Sequence, residues 1–143
     1  MYDKQIICKA RAEDIDSIFS IEKKSFGNEH WSFGMIKNEL INISNRITWI
    51  AKIKSKVIAY CMVRFFDNEI YIVNMVVVPK MQRHGIGKLL LKNFLNEKAL
   101  KSSVFLEVKA GNLPALNLYT SLGFEKMSIW NNYYQDGSDA VVI

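Results

Sequence analysis

The chain is short of the residues that staple, kink or anchor a protein. Only two cysteines occur in 143 residues, Cys8 and Cys61, far apart and each in an apolar, strand-like context. That excludes a disulfide framework and points to reduced core cysteines of a cytoplasmic protein. The two histidines, His30 and His84, show no ligand spacing with each other or with the cysteines, so no metal site is expected. No apolar run approaches the roughly 20 residues that span a membrane. Met1-Tyr2-Asp3-Lys4 has no signal-peptide layout, so export is not expected either. The basic residues are scattered, with no arginine-rich arm, helix-turn-helix pattern or aromatic RNA-binding signature, which disfavours direct nucleic-acid recognition. Repeats, low-complexity tracts and linkers are also missing.

What is present is an ordinary globular composition, 50% hydrophobic and 23% charged. At this length we expect a single domain, residues 1–143, with a real core. The net charge of +5 suits an anionic cofactor.

Local patterns place the elements. Ile6 to Lys9 reads as a strand and Ala12 to Ser25 as a helix, with Ile15, Ile18, Phe19 and Glu22 at i, i+3, i+4 and i+7. Ser32 is an N-cap candidate for a second helix to Leu40. Ile47 to Ile53, Val57 to Phe66 and Ile70 to Val78 read as strands, the first two joined at Lys54-Ser55-Lys56. Pro79 ends the third, having no N–H to donate. A helix from Ile86 to about Leu100, a strand from Val104 to Val108 and a helix from Ala115 to Leu122 follow, the last stopped by Gly123 at its C′ position. Phe124 to Trp130 and Ala140 to Ile143 read as closing strands, the latter pairing within the chain or across a dimer. The order is β-α-α-β-β-β-α-β-α-β-β, an α+β fold with a mixed, mostly antiparallel sheet flanked by helices.

Three places invite chemistry. Gln82-Arg83-His84-Gly85-Ile86-Gly87-Lys88 lies between a strand and a helix, where backbone N–H groups can face an anion. It matches neither the P-loop spacing nor the dinucleotide fingerprint, so glycines for close packing account for it equally well. Glu107 stands inside Val104-Phe105-Leu106-Glu107-Val108; desolvation there would tune it as a base, while pairing with Lys109 would make it structural. Tyr119 shares the stripe Ala115, Leu118, Tyr119 and Leu122, where a lone tyrosine is a core residue with one satisfied hydroxyl. Asn112 can cap that helix or bond a ligand.

In joint order these segments resemble the GNAT N-acetyltransferase superfamily over nearly the whole chain. Gln82 to Gly87 looks like its Gln/Arg-x-x-Gly-x-Gly/Ala loop. Asn112-Leu113-Pro114-Ala115-Leu116-Asn117-Leu118-Tyr119-Thr120-Ser121-Leu122-Gly123-Phe124 resembles its Asn-x-x-Ala-x-x-Leu-Tyr-x-x-x-Gly-Phe run. Glu107-Val108-Lys109, Asn74-Met75-Val76-Val77-Val78-Pro79, Trp31-Ser32 and Asn132-Tyr133-Tyr134 are similar to segments of the RimI group, bacterial enzymes that acetylate the N-terminal alanine of a small-subunit ribosomal protein. Departures are Lys109 for Arg, Val78 for Asp, His30 for Pro before the Trp, and a short loop after Tyr134.

The resemblance implies acetyl-CoA as cosubstrate, without a metal. Its pyrophosphate would meet Arg83, His84, Gly85, Ile86, Gly87 and Lys88, and its pantetheine arm the backbone of Met75, Val76 and Val77. Asn112 would contact the cofactor near its reacting end. Glu107 would act as base and Tyr119 as acid, with Trp31, Tyr133 and Tyr134 gripping a peptide N-terminus. Acetylation of a small amine (a polyamine or aminoglycoside) and a non-catalytic acyl-CoA-binding regulatory domain are the competing readings. The loops at Asn42 to Asn45 and Asn131 to Gly137 carry few carboxylates for a polycation, which favours the peptide.

Overall fold

The computed structural model of the chain describes residues 6–41, 45–82, 85–98, 103–134 and 136–143. Its elements are β1 (Ile6–Lys9), α1 (Ile15–Phe26), α2 (Phe33–Ile41), β2 (Arg46–Ile53), β3 (Lys56–Phe66), β4 (Glu69–Val77), α3 (Ile86–Lys98), β5 (Ser103–Lys109), α4 (Leu113–Ser121), β6 (Ser128–Trp130) and β7 (Ala140–Val142). The order is the one the sequence predicts. The far end of the expected third helix, at Leu100, lies outside the described residues. Two compact units divide the chain, residues 1–103 and 104–143.

In the first unit β1 to β4 form an antiparallel meander. Lys54 and Ser55 join β2 to β3 with positive φ at both positions, 51° and 67°. That is the twist a two-residue hairpin turn needs. Ile15, Ile18 and Ile21 of α1 and Ile36 of α2 bury against Ile50, Val57, Tyr60, Met62 and Val76. Each such isoleucine contributes about 1.5–3 kcal/mol of apolar burial. Strand alternation sends Tyr60 and Met62 into this cluster and Cys61 and Val63 to the opposite face. Helix α3 lies across β2, β3 and β4 and buries Ile86, Leu90 and Leu91. Ala12–Asp14 is a 3₁₀ turn, so the first α-helix starts three residues later than the periodicity suggests. Asp14 takes the Arg11 N–H at 2.8 Å and Lys52 at 3.2 Å, holding the chain in the entry turn. Cys61 is fully buried, but Cys8 is only half-buried, at the margin of the core.

In the second unit β7 lies between β5 and β6, antiparallel to both. Ala140–Val142 therefore pairs within the chain. Asn112 caps α4, its Oδ1 accepting the Ala115 N–H at 3.3 Å. The helix stops as expected, with Gly123 at φ +94°. The strand expected from Phe124 is a correction: only Ser128–Trp130 is extended in a ladder. Phe124 N–H instead donates to the Tyr119 carbonyl at 3.1 Å, completing the wrap of the helix end.

Candidate active site

The cofactor half of the predicted site falls in the first unit. Val76 is buried and Met75 and Val77 half-buried on β4. Past Pro79–Met81, the Gln82 side chain donates to the Val77 carbonyl at 3.0 Å, tying the loop to the strand it follows. Gly85 has φ +77° and nothing within 4 Å of where a Cβ would stand. The first N–H with a helical partner is that of Leu89, bonded to the Gly85 carbonyl at 3.0 Å. The amides of Ile86, Gly87 and Lys88 thus belong to the first turn of α3. A helix start beside a glycine and a lysine is a setting that suits a pyrophosphate group. Arg83 and His84 lie outside the described residues.

The chemical half falls in the second unit. Leu106 and Val108 are buried, while Glu107 between them is exposed. The expectation that an apolar run would desolvate Glu107 is therefore corrected. A strand alternates faces, so the run contributes its apolar residues to one side and Glu107 to the other. The Tyr133 hydroxyl bonds Glu107, and that bond, more than burial or the carboxylate's charge, raises the Tyr133 phenol above its ordinary range. Burial, with the negative charge of Glu107 behind it, pushes Tyr134 up to about 12. The two rings meet edge to face at 5.1 Å, and Trp130 stacks at a tilt on Tyr133 at 5.2 Å. Glu107, Tyr133 and Tyr134 are thus brought together as one group.

Tyr119 is buried on α4, its ring edge against Phe124 at 5.5 Å. Asn112 spends its side-chain oxygen on the cap, which is the structural alternative the sequence allows. Trp31 belongs to the first unit, half-buried between α1 and α2 beside a pocket of about 280 Å³ that Met35, Asn38, Glu39, Arg46 and Arg64 also line.

Two features escape the sequence reading. Lys109 pairs with Asp136 at 3.1 Å and sits 5.2 Å from the Tyr134 ring, so the loop after β6 is clipped to β5. Its position two residues after Glu107, on the same strand face, was the available signal. Glu22 is fully buried, with Trp31 N–H, the Tyr60 hydroxyl and Asn74 Nδ2 each donating to it at 2.7 Å. Only its place in the apolar stripe of α1 hinted at this. Among the described residues no group of three or more His, Cys, Asp or Glu could hold a metal ion. No helix among them is long and apolar enough to cross a membrane.

The glycine turn, the capped helix with its tyrosine and the strand glutamate define a class. Residues 15–124 match the Acetyltransferase (GNAT) family, and the chain belongs to it. It is an acetyl-CoA-dependent N-acetyltransferase, with the α+β fold of that family. Among particular proteins, it is 29% identical to an N-alpha-acetyltransferase of Sulfurisphaera tokodaii over 96% of this chain and 90% of that protein. It is 36% identical to the [ribosomal protein bS18]-alanine N-acetyltransferase of Escherichia coli K12 over 92 residues, 62% of each chain. The crystal structure of the E. coli ribosomal-protein-S18-alanine N-acetyltransferase superposes with a TM-score of 0.87 at 28% identity, covering 97% of this chain and 91% of that one.

Proposed function

We propose that the chain is a cytoplasmic N-α-acetyltransferase working as one domain on protein N-termini, with the N-terminal alanine of a small-subunit ribosomal protein as its foremost substrate. The observation that carries this is the setting of Glu107: an exposed carboxylate walled by tyrosines, with the neighbouring Asp136 already engaged by Lys109 and Ser138. A polyamine or aminoglycoside needs several free carboxylates, whereas a peptide end needs one base and flat apolar walls. The relatives named for N-α-acetylation point the same way.

Acetyl-CoA, when bound, supplies the acetyl group as a thioester. The residues assigned to hold it are Met75 to Val77 through backbone, Arg83 to Lys88 at the pyrophosphate, and Asn112. A peptide α-ammonium has a pKa of about 7.7–8.0, against about 10.4 for lysine, so a modest base frees it near neutral pH. Glu107, directly or through water, takes that proton, and the neutral amine attacks the thioester carbonyl. The Tyr119 hydroxyl supplies the proton the departing sulfur needs. Tyr133 donates to Glu107 and so orients it, while Tyr134 and Trp31 hold the peptide.

The test is CoA release with peptides beginning Ala, Ser, Met or an acetylated residue, beside polyamines and an aminoglycoside. Turnover confined to free peptide N-termini is expected. Glu107→Gln and Tyr119→Phe should each lower kcat by about 10²-fold or more, the scale of a lost general acid or base. Turnover on the small amines alone would overturn the peptide assignment. CoA binding without transfer to any amine would support the regulatory reading.

A further inference from the structure

Glu22 has no part in the chemistry assigned to Glu107 and Tyr119, yet no atom of it reaches solvent. It stands in the second half of α1, and donors converge on it from three other segments. The Tyr60 hydroxyl on β3 and Asn74 Nδ2 on β4 both donate to Oε1 at 2.7 Å. The backbone N–H of Trp31, between α1 and α2, donates to Oε2 at 2.7 Å. These are short, charge-assisted bonds, which is what makes a buried carboxylate tolerable. Stability alone does not call for it, because an apolar side chain of that size packed against Ile18 and Tyr60 would avoid the desolvation altogether.

What Glu22 does supply is a fixed geometry between two pieces of the site. Asn74 immediately precedes Met75, the first of the three residues assigned to the pantetheine arm. Trp31 is assigned to the peptide. We infer that Glu22 is a positioning residue that sets the peptide-side loop at Trp31 in register with the cofactor strand at Asn74. The inference rests on the N-terminal acetyltransferase reading above. The two oxygens divide the task, Oε1 toward the strand and Oε2 toward the loop.

Glu22→Gln keeps the shape and removes one acceptor. Two donors hold the Oε1 end and one holds the other, so the carboxamide oxygen stays with Tyr60 and Asn74, and its NH₂ faces the Trp31 N–H. The loop bond is the one lost. Asn74→Ala removes the strand bond at the other end.

The experiment combines amide hydrogen exchange at Trp31, thermal midpoint, and steady-state kinetics with an Ala-starting peptide and acetyl-CoA. For Glu22→Gln, Trp31 exchange should quicken and peptide KM rise, each by about tenfold, the scale of a lost charge-assisted bond. Its acetyl-CoA KM should stay within about twofold. For Asn74→Ala the pattern should invert, with acetyl-CoA KM rising about fivefold while the Trp31 amide keeps its protection. If Glu22→Gln does not fold, the Asn74→Ala pattern decides. Unchanged Trp31 exchange and peptide KM, equal rises in both KM values, or loss of thermal stability with unaltered kinetics would each overturn the inference. If wild type acetylates no peptide, the N-terminal reading has failed by itself, and Trp31 exchange in Glu22→Gln with the acetyl-CoA Kd of Asn74→Ala, measured by calorimetry, still judges Glu22.

Discussion

Each unit holds a tyrosine hydroxyl on a glutamate, and the two pairs sit in opposite surroundings. In the first unit Tyr60 and Glu22 are both fully buried, and Asn74 and the Trp31 amide complete the carboxylate's shell. In the second, Tyr133 and Glu107 are both exposed. The first carboxylate is sealed from water and takes three donors fixed in the fold, two on Oε1 and one on Oε2, so it can hold elements together but is closed to a substrate. The second is met by a phenol on a surface loop and keeps room to accept a proton. The same pair of functional groups is a fastener where water is excluded and a candidate catalytic site where water enters. Glu39 is a partial counterpart: it is buried, with Arg46 at 3.2 Å and Arg64 in direct contact, both on Oε1, while Oε2 has no hydrogen-bond partner among the described residues.

Removing the two phenols is the sharpest way to break this comparison. Tyr60→Phe leaves a buried carboxylate short of one donor and should cost about 1–3 kcal/mol, the penalty for an unsatisfied buried polar group. On a chain of this length that lowers the thermal midpoint by several degrees. Tyr133→Phe should change stability by no more than about 0.5 kcal/mol, as surface substitutions do, while lowering kcat/KM because Glu107 loses its orienting partner. Paired thermal melts and kinetics check both; equal destabilisation by the two would end the distinction.

The comparison also explains what could be read in the sequence. Element order and most boundaries follow from periodicity and from Ser32, Pro79 and Gly123, whose effects on the backbone are local. The glycine turn and the Asn112 cap were legible for the same reason. Glu107 was legible as a candidate but its surroundings were not. An unbroken apolar run hides which face each residue takes, and the strand's alternation put Glu107 outside. Phe124 to Trp130 reads as one strand in the sequence, yet the Tyr119 carbonyl takes the Phe124 amide and the ladder begins only at Ser128. The Glu22 network joins residues 38 and 52 positions apart, and no local pattern announces such a pairing.

An alkaline titration sharpens the comparison further. Burial, then the charge and bond of Glu22, raise the Tyr60 phenol strongly, so it should stay protonated until the first unit unfolds. Tyr134 lies between the extremes, pushed up to about 12 mainly by burial. A folded-state value above the ordinary 10 means its contribution to stability is complete below pH 10 and is lost as pH rises through about 12. Absorbance at the phenolate band should therefore show Tyr134 only as pH passes about 12, and Tyr60 only with loss of structure. A Tyr60 signal before that of Tyr134 would contradict a sealed Glu22.

The smallest effect belongs to the loop clip beside Glu107. Hydrogen bonds from the Ser138 hydroxyl and amide, then from Lys109, hold the Asp136 carboxyl down at about 2. A depressed carboxylate contributes stability that is present above its ordinary 3.8 and lost as pH falls through about 2. The clip should thus be unchanged from pH 8 to pH 5 and should open only in acid. Because Asp136 is exposed, screening keeps its weight small. Asp136→Asn should leave the thermal midpoint unmoved and raise peptide KM by no more than about fivefold, the scale of a surface ion pair. Tyr134, which Lys109 touches, would then lose its restraint while Glu107 keeps its bond to Tyr133. A fall in kcat with unchanged peptide KM would instead mean that Asp136 and Lys109 act on the carboxylate rather than on the loop that carries the tyrosines.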